Sequence, residues 1–119
     1  MKKLILSVKP TPPSPNRTLR MHWAVRRKVF KDIYDQVFWQ VKQARWKGKG
    51  SVQISVERRS AVLMDPDNLI GSLKPVIDGL VRAGVMPDDK EEDISFGTIK
   101  QVKSKRKDAE LIITVRHVE

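Results

Sequence analysis

Apolar residues recur along this chain with two different periods, and each change of period marks a new element. Lys3-Leu4-Ile5-Leu6-Ser7-Val8 reads as a first strand. Pro10, Pro12, Pro13 and Pro15 close it, because their fixed φ and missing N–H groups prevent pairing and predict a stiff loop. From about residue 22 to 46 the spacing becomes helical. Phe30, Ile33, Val37, Val41 and Ala44 recur at steps of three and four, with Val29, Tyr34 and Phe38 broadening the stripe. Lys47-Gly48-Lys49-Gly50 is predicted to end this helix by the C-terminal glycine rule.

Val52, Ile54 and Val56 then alternate with Gln53, Ser55 and Glu57, the period of a half-buried strand. After Arg58-Arg59-Ser60 and Ala61-Val62-Leu63-Met64 comes an Asp-Pro-Asp-Asn turn. A second helical pattern follows through Leu69, Leu73, Val76, Ile77, Leu80 and Val81 to Gly84. Pro75 opposes one continuous helix from Asn68, and the conflict is resolved if Ser72 caps the main helix, leaving Pro75 in the first turn. Ile94 to Val102 and Leu111 to Val115 read as the last two strands, joined through residues 103–108 as a hairpin loop. The predicted order is β-α-β-α-β-β, an α/β two-layer fold with two helices packed on a small sheet. Residues 1–119 form a single domain, and dimerisation would help so small a chain complete its core.

Charge changes the picture. The chain has 24 Lys and Arg against 14 Asp and Glu, a formal +10. Between Met64 and Asp93, three basic residues stand against eight acidic ones (Asp65, Asp67, Asp78, Asp88, Asp89, Glu91, Glu92, Asp93), a local −5. The remainder, 21 basic against six acidic, carries +15. An acidic cluster inside a basic protein suggests a metal site facing a polyanion, since carboxylates hold cations while basic residues hold a nucleic-acid backbone. No apolar run approaches the roughly 18 residues that span a bilayer, and Leu4-Ile5-Leu6 is too short for a signal peptide. The absence of cysteine removes disulfide frameworks, thiolate zinc sites and cysteine nucleophiles. A cytoplasmic protein without a membrane partner is the expectation.

The candidate chemistry lies in three steps. Asp65 and Asp67 flank Pro66, and in an extended segment both side chains point to one face at the entry of the second helix. Asp88-Asp89 arrive 21 and 22 residues after Asp67, past a helix and Gly84 that can return them to the same rim. Mg²⁺, or Mn²⁺ in its place, suits such all-oxygen ligands. Lys74 is expected within or next to the first helical turn after the Asp pair, where its ammonium can neutralise charge gained in a phosphoryl transition state. Each step also has a plainer explanation. Asp-Pro-Asp-Asn is an ordinary turn and cap, Asp88 to Asp93 a solvated loop, Lys74 a surface lysine, and Asp78 a partner of Arg82 at i+4. Trp23, Trp39 and Trp46 suit a core or dimer interface more than base stacking. His22 suits a loop hydrogen bond or phosphate contact rather than a metal.

Taken together, these residues resemble the RusA family of Holliday-junction resolvases. Asp65-Pro66-Asp67-Asn68-Leu69, Lys74 with Asp78 four residues on, Ala83-Gly84 and Asp88-Asp89 follow the family's Asp-x-Asp-Asn-Leu, Lys-x-x-x-Asp, Ala-Gly and Asp-Asp steps in order. Pro12-Pro13-Ser14-Pro15-Asn16-Arg17 and His22 look like its proline-rich opening. The resemblance implies an α/β homodimer that cuts paired strands of a four-way DNA junction with Mg²⁺, in recombination and repair, with a prophage origin common for such proteins. It assigns Asp65, Asp67 and Asp89 as essential carboxylates, Asp88 as a reserve ligand, and Lys74 as the essential lysine. About three extra residues, including Gly71 and Ser72, separate Asn68 from Lys74 here. Asn16, Arg17, Arg20, His22, Arg26, Arg27 and Lys31 are the expected DNA contacts. The competing expectation is a non-cleaving junction-binding or RNA-binding basic domain.

Overall fold

A computed structural model of the chain describes residues 3–46, 50–87 and 93–118. The elements run β1 (Lys3–Val8), α1 (Pro15–Arg20), α2 (Trp23–Ala44), β2 (Val52–Ser60), α3 (Pro66–Gly71), α4 (Lys74–Arg82), β3 (Ile94–Lys103) and β4 (Glu110–His117). A 3-10 turn, Arg106–Asp108, precedes β4. The architecture is mixed α/β, with α2 and α4 on one face of a four-stranded sheet.

The last two strands do not form the expected hairpin. The sheet order is β1-β4-β2-β3. From β2 the chain travels through α3 and α4 before re-entering the sheet, and such a crossover delivers a parallel partner, Val52 opposite Ile94 through Ser60 opposite Lys103. β4 then passes the end of β2, where Ser104 N–H donates to the Ser60 carbonyl (3.0 Å), and inserts antiparallel between β2 and β1. Leu111, Ile113 and Val115 are all 0% exposed at this central position.

Alternation decides what the core contains. Leu4, Leu6 and Val8 of β1 and Val52, Ile54 and Val56 of β2 point to the same side as the β4 triplet. Ile33, Val37 and Val41 of α2 and Val76 and Leu80 of α4 cover them. Each such aliphatic side chain contributes roughly 1.5–3 kcal/mol on burial. The outer edge of β1 is occupied by α2. Gln40 accepts from Ser7 N–H (2.9 Å) and donates to the Ser7 carbonyl (2.6 Å), and Gln36 repeats this one turn earlier with Lys9 (3.0 and 2.8 Å). The two amides stand in for a neighbouring strand.

Three local expectations are corrected. The proline segment is not all loop, because Ser14 caps α1 by accepting from Arg17 N–H (3.3 Å) and Pro15 occupies its first turn. Proline suits that position since its missing N–H would have no intrahelical partner. Next, α2 ends at Ala44, before the glycines, with Arg45 in the left-handed region (φ 53°), while residues 47–49 lie outside the described residues. Finally, Pro75 does sit in the first turn of α4, but Ser72 does not cap it. Its hydroxyl donates back to the Leu69 carbonyl (2.6 Å), and Leu73 takes the cap position with no side-chain bond.

The end of α4 follows the expected glycine. Gly84 has φ 87°, Gly84 N–H donates to the Val81 carbonyl and Val85 N–H to the Leu80 carbonyl (3.0 Å each), the bond pair of a Schellman motif. Val85 and Met86 are thereby tucked into the core. No helix among the described residues is long and apolar enough to cross a membrane.

Candidate functional site

The Asp65-Pro66-Asp67 step is helical rather than extended. Asp65 is the N-cap residue of α3, in extended conformation (φ −60°, ψ 143°), Pro66 opens the helix and Asp67 lies in its first turn. Proline's preset φ favours this start. The Asp65 carbonyl receives Leu69 N–H (2.9 Å), yet its carboxylate makes no capping bond. Among the described residues neither Asp65 nor Asp67 has a side-chain hydrogen bond or ion pair, and both are exposed. The ordinary-cap explanation leaves these two carboxylates without an assigned partner.

The approach to this step is held by two residues that the hydrophobic pattern did not nominate. Gln101 of β3 accepts from Met64 N–H (3.0 Å) and donates to the Met64 carbonyl (2.7 Å). Arg58 of β2, directly opposite Gln101, donates through Nη1 to the Val62 carbonyl (2.7 Å) and to Gln101 Oε1 (3.3 Å). Both ends of the Val62–Met64 segment are thus fixed to the sheet immediately before Asp65. The signal was available in the sequence, since Arg58 is in phase with Val52, Ile54 and Val56 and so belongs to the buried face.

Lys74 lies in the first turn of α4, as expected, and the Gly71-Ser72-Leu73 link separates that helix from α3, which carries Asp67. Its ammonium donates to Asp78 (3.0 Å), both groups being largely exposed, so Asp78 pairs with Lys74 rather than with the expected Arg82. The proline segment reaches this junction: Pro13, Pro15, Thr18, Gly71 and Lys74 line one small cavity of about 50 Å³. Asp88 and Asp89 lie outside the described residues. Among the described residues no three of His, Cys, Asp and Glu gather closely enough to hold a metal ion.

The expected DNA contacts spread over α1 and the start of α2. Asn16, Arg17 and Arg20 are exposed on α1. His22 caps α2, its Nδ1 accepting from Ala24 N–H (3.2 Å), and its ring lies against Trp23 (5.6 Å between centroids), itself exposed. Arg26 is half-buried and Arg27 exposed. Lys31 is engaged with Asp35 (2.7 Å), which raises its pKa through that hydrogen bond and the attraction of the charge. Of the tryptophans, Trp46 packs against the core, while Trp23 and Trp39 are exposed.

No protein-family model matches the chain, and no curated protein sequence matches it.

Proposed function

We propose that this protein is a Mg²⁺-dependent, structure-selective endodeoxyribonuclease that hydrolyses phosphodiester bonds in paired strands of four-way DNA junctions, in the manner of the RusA family it resembles. The observation that carries the reading is the pair of exposed, unpartnered carboxylates, Asp65 and Asp67, at the head of α3 in a chain otherwise strongly basic. Unpartnered carboxylates held by a rigid helix start gain from a divalent cation. The donor set, all carboxylate oxygen and open to water, fits Mg²⁺ or Mn²⁺. Asp65 and Asp67 would hold it, with Asp89 and Asp88 as the further ligands the resemblance implies.

When bound, the ion supplies Lewis-acid activation of water and neutralises phosphate charge. Lys74 would release Asp78 and turn its ammonium toward charge developing on the phosphoryl oxygens, a motion its exposed, flexible stem permits. Arg17, Arg20, Arg26 and Arg27 would hold the flanking backbone. A homodimer would present two such sites to two equivalent strands of a branched junction.

The test is incubation with a synthetic four-way junction, a linear duplex and single strands, with and without Mg²⁺, beside a gel-shift titration. The expected result is cutting of the junction alone, only with Mg²⁺. Asp67→Asn should lower the cleavage rate by about a hundredfold or more while leaving junction affinity level or improved, because one charge facing phosphate is gone. Junction binding by the wild type without any cleavage would instead favour a non-cleaving binding domain. Loss of binding in folded Asp67→Asn that matches its loss of cleavage would make the aspartate a direct DNA contact.

A further inference from the structure

Arg58 carries a charge that the fold does not answer. It is 7% exposed, on the core-facing side of β2. Its Nη1 is used by the Val62 carbonyl and Gln101, but its Nε is buried without an acceptor, and no carboxylate pairs with it among the described residues. The edge left over, Nε with Nη2, is one of those through which a guanidinium grips a carboxylate or phosphate with two parallel bonds. Burial alone lowers its pKa from the ordinary guanidinium value, the sign of a cation without a counter-charge. Leaving a buried charge unpaired is costly, so an anion is the natural completion.

The surroundings fit one. Arg58 lines a cleft of about 550 Å³ between the Pro10–Ser14 segment and the Ser60–Met64 segment. Exposed Arg17 and Arg106 add two further guanidiniums to the lining, and among the described residues no acidic one contributes to it. The apolar part of the wall includes Val62 and Leu63, which are 65% and 49% exposed. A surface that is cationic at its base and apolar at its wall suits a sugar-phosphate unit. The wall ends at Met64, one residue before Asp65, so a strand lying in the cleft continues onto the Asp65–Asp67 step.

We propose that this cleft binds a backbone phosphodiester of the DNA strand that is cut at Asp65 and Asp67, with Arg58 as the buried anchor and Arg17 and Arg106 as outer contacts. The identity of the strand rests on the nuclease reading; the anion site rests on the unanswered guanidinium and the lining of the cleft.

The experiment follows the Arg58 Nε–H resonance of the ¹⁵N-labelled full chain, assigned by its loss in Arg58→Lys, without Mg²⁺ so that nothing is cut. Three probes are added separately: a short DNA duplex, the same duplex with methylphosphonate linkages, and inorganic phosphate. The expected result is a shift with the ordinary duplex and a much smaller one with the neutral backbone. Arg58→Met should weaken junction binding about tenfold and flatten the log–log salt dependence by about 0.9, the loss of one phosphate contact. Should Arg58→Met fail to fold, Arg17→Gln with Arg106→Gln, both exposed, should flatten it by about 1.8. An unmoved resonance, an equal response to both duplexes, or a response to inorganic phosphate alone overturns the proposal. The two readings fail separately. If Arg58 responds to the duplex but the junction is never cut, the nuclease reading falls and the phosphate cleft stands; if cutting depends on Asp67 while Arg58 is silent, the cleft falls alone.

Discussion

Replacing Gly71 by alanine sets two effects of opposite sign against each other. Gly71 is the last residue of α3, and alanine is favoured there over glycine by up to about 1 kcal/mol on helix propensity. A Cβ on Gly71 would, however, lie 2.8 Å from Cγ of Pro15, the first residue of α1. Ordinary carbon contacts are near 3.5–4.0 Å, so α1 and α3 must separate by about 1 Å. The stiff pyrrolidine ring cannot swing aside. Overpacking of this kind costs about 1–3 kcal/mol, which gives an expected net loss of about 1 kcal/mol and a Tm lowered by about 4 °C. The assay is a thermal-unfolding double-mutant cycle with Pro15→Ala, which removes the obstructing ring carbon. In that background Gly71→Ala should become neutral or stabilising, a coupling of about 1 kcal/mol or more. Equal effects in both backgrounds, or stabilisation in the otherwise wild-type chain, would refute the packing of α3 on Pro15. The same displacement shifts α3 relative to α4, so junction cleavage by Gly71→Ala should fall about tenfold or more if Asp67 and Lys74 act on one phosphate.

Lys74→Ala should lower cleavage by about a hundredfold while junction affinity changes little, because its proposed work is confined to the transition state; loss of the exposed pair with Asp78 accounts for only about 0.5 kcal/mol of any change in stability. Turnover within a few-fold of wild type would return Lys74 to the status of a surface residue. Gly84→Ala should cost about 1 kcal/mol through its positive φ alone, since nothing lies within 4 Å of the added Cβ. Gly84→Asn should cost less, as asparagine tolerates this backbone region, and equal Tm values for the two variants would count against a strained cap.

The parts of the fold set by neighbouring residues were legible in the sequence. The period-two run of Lys3–Val8 and the stripe through Ile33, Val37 and Val41 became elements close to their expected bounds, and the run of Val52–Glu57 became a strand that continues three residues further, to Ser60. The hairpin failed because β4 pairs with β1 and β2, strands distant along the chain, a choice that no local signal encodes. The helix at Pro15 was readable from Ser14 and the first-turn proline, but the neighbouring prolines drew it into a loop. At the candidate site the Asp65–Asp67 step stood out by composition, whereas its helical conformation depended on reading Pro66 as a helix opener. Arg58 was hidden by its charge. A strand face is assigned from apolar residues, and the one cation on that face was passed over as the strand's end.

Inserting β4 between β1 and β2 has a consequence for how the molecule comes into being. Among the described residues the first strand's only strand partner in the sheet is β4, with Lys3 opposite Arg116, and β2 lacks one of its two neighbours until β4 arrives. During synthesis the ribosome therefore exposes β1, α2 and β2 long before the strand that joins them exists. Pairings so distant along the chain are entropically costly to close and make folding slow, on the order of milliseconds to seconds. In that interval the inner backbone edges of Lys3–Val8 and Val52–Arg59, which β4 later pairs, are open to strands of other chains. Gln36 and Gln40 can guard the outer side of β1 as soon as α2 forms, but the inner side waits for Glu110–His117. The nascent chain is thus most vulnerable to aggregation just before its final strand emerges, and expression at lower temperature or with a holding chaperone acts on that interval.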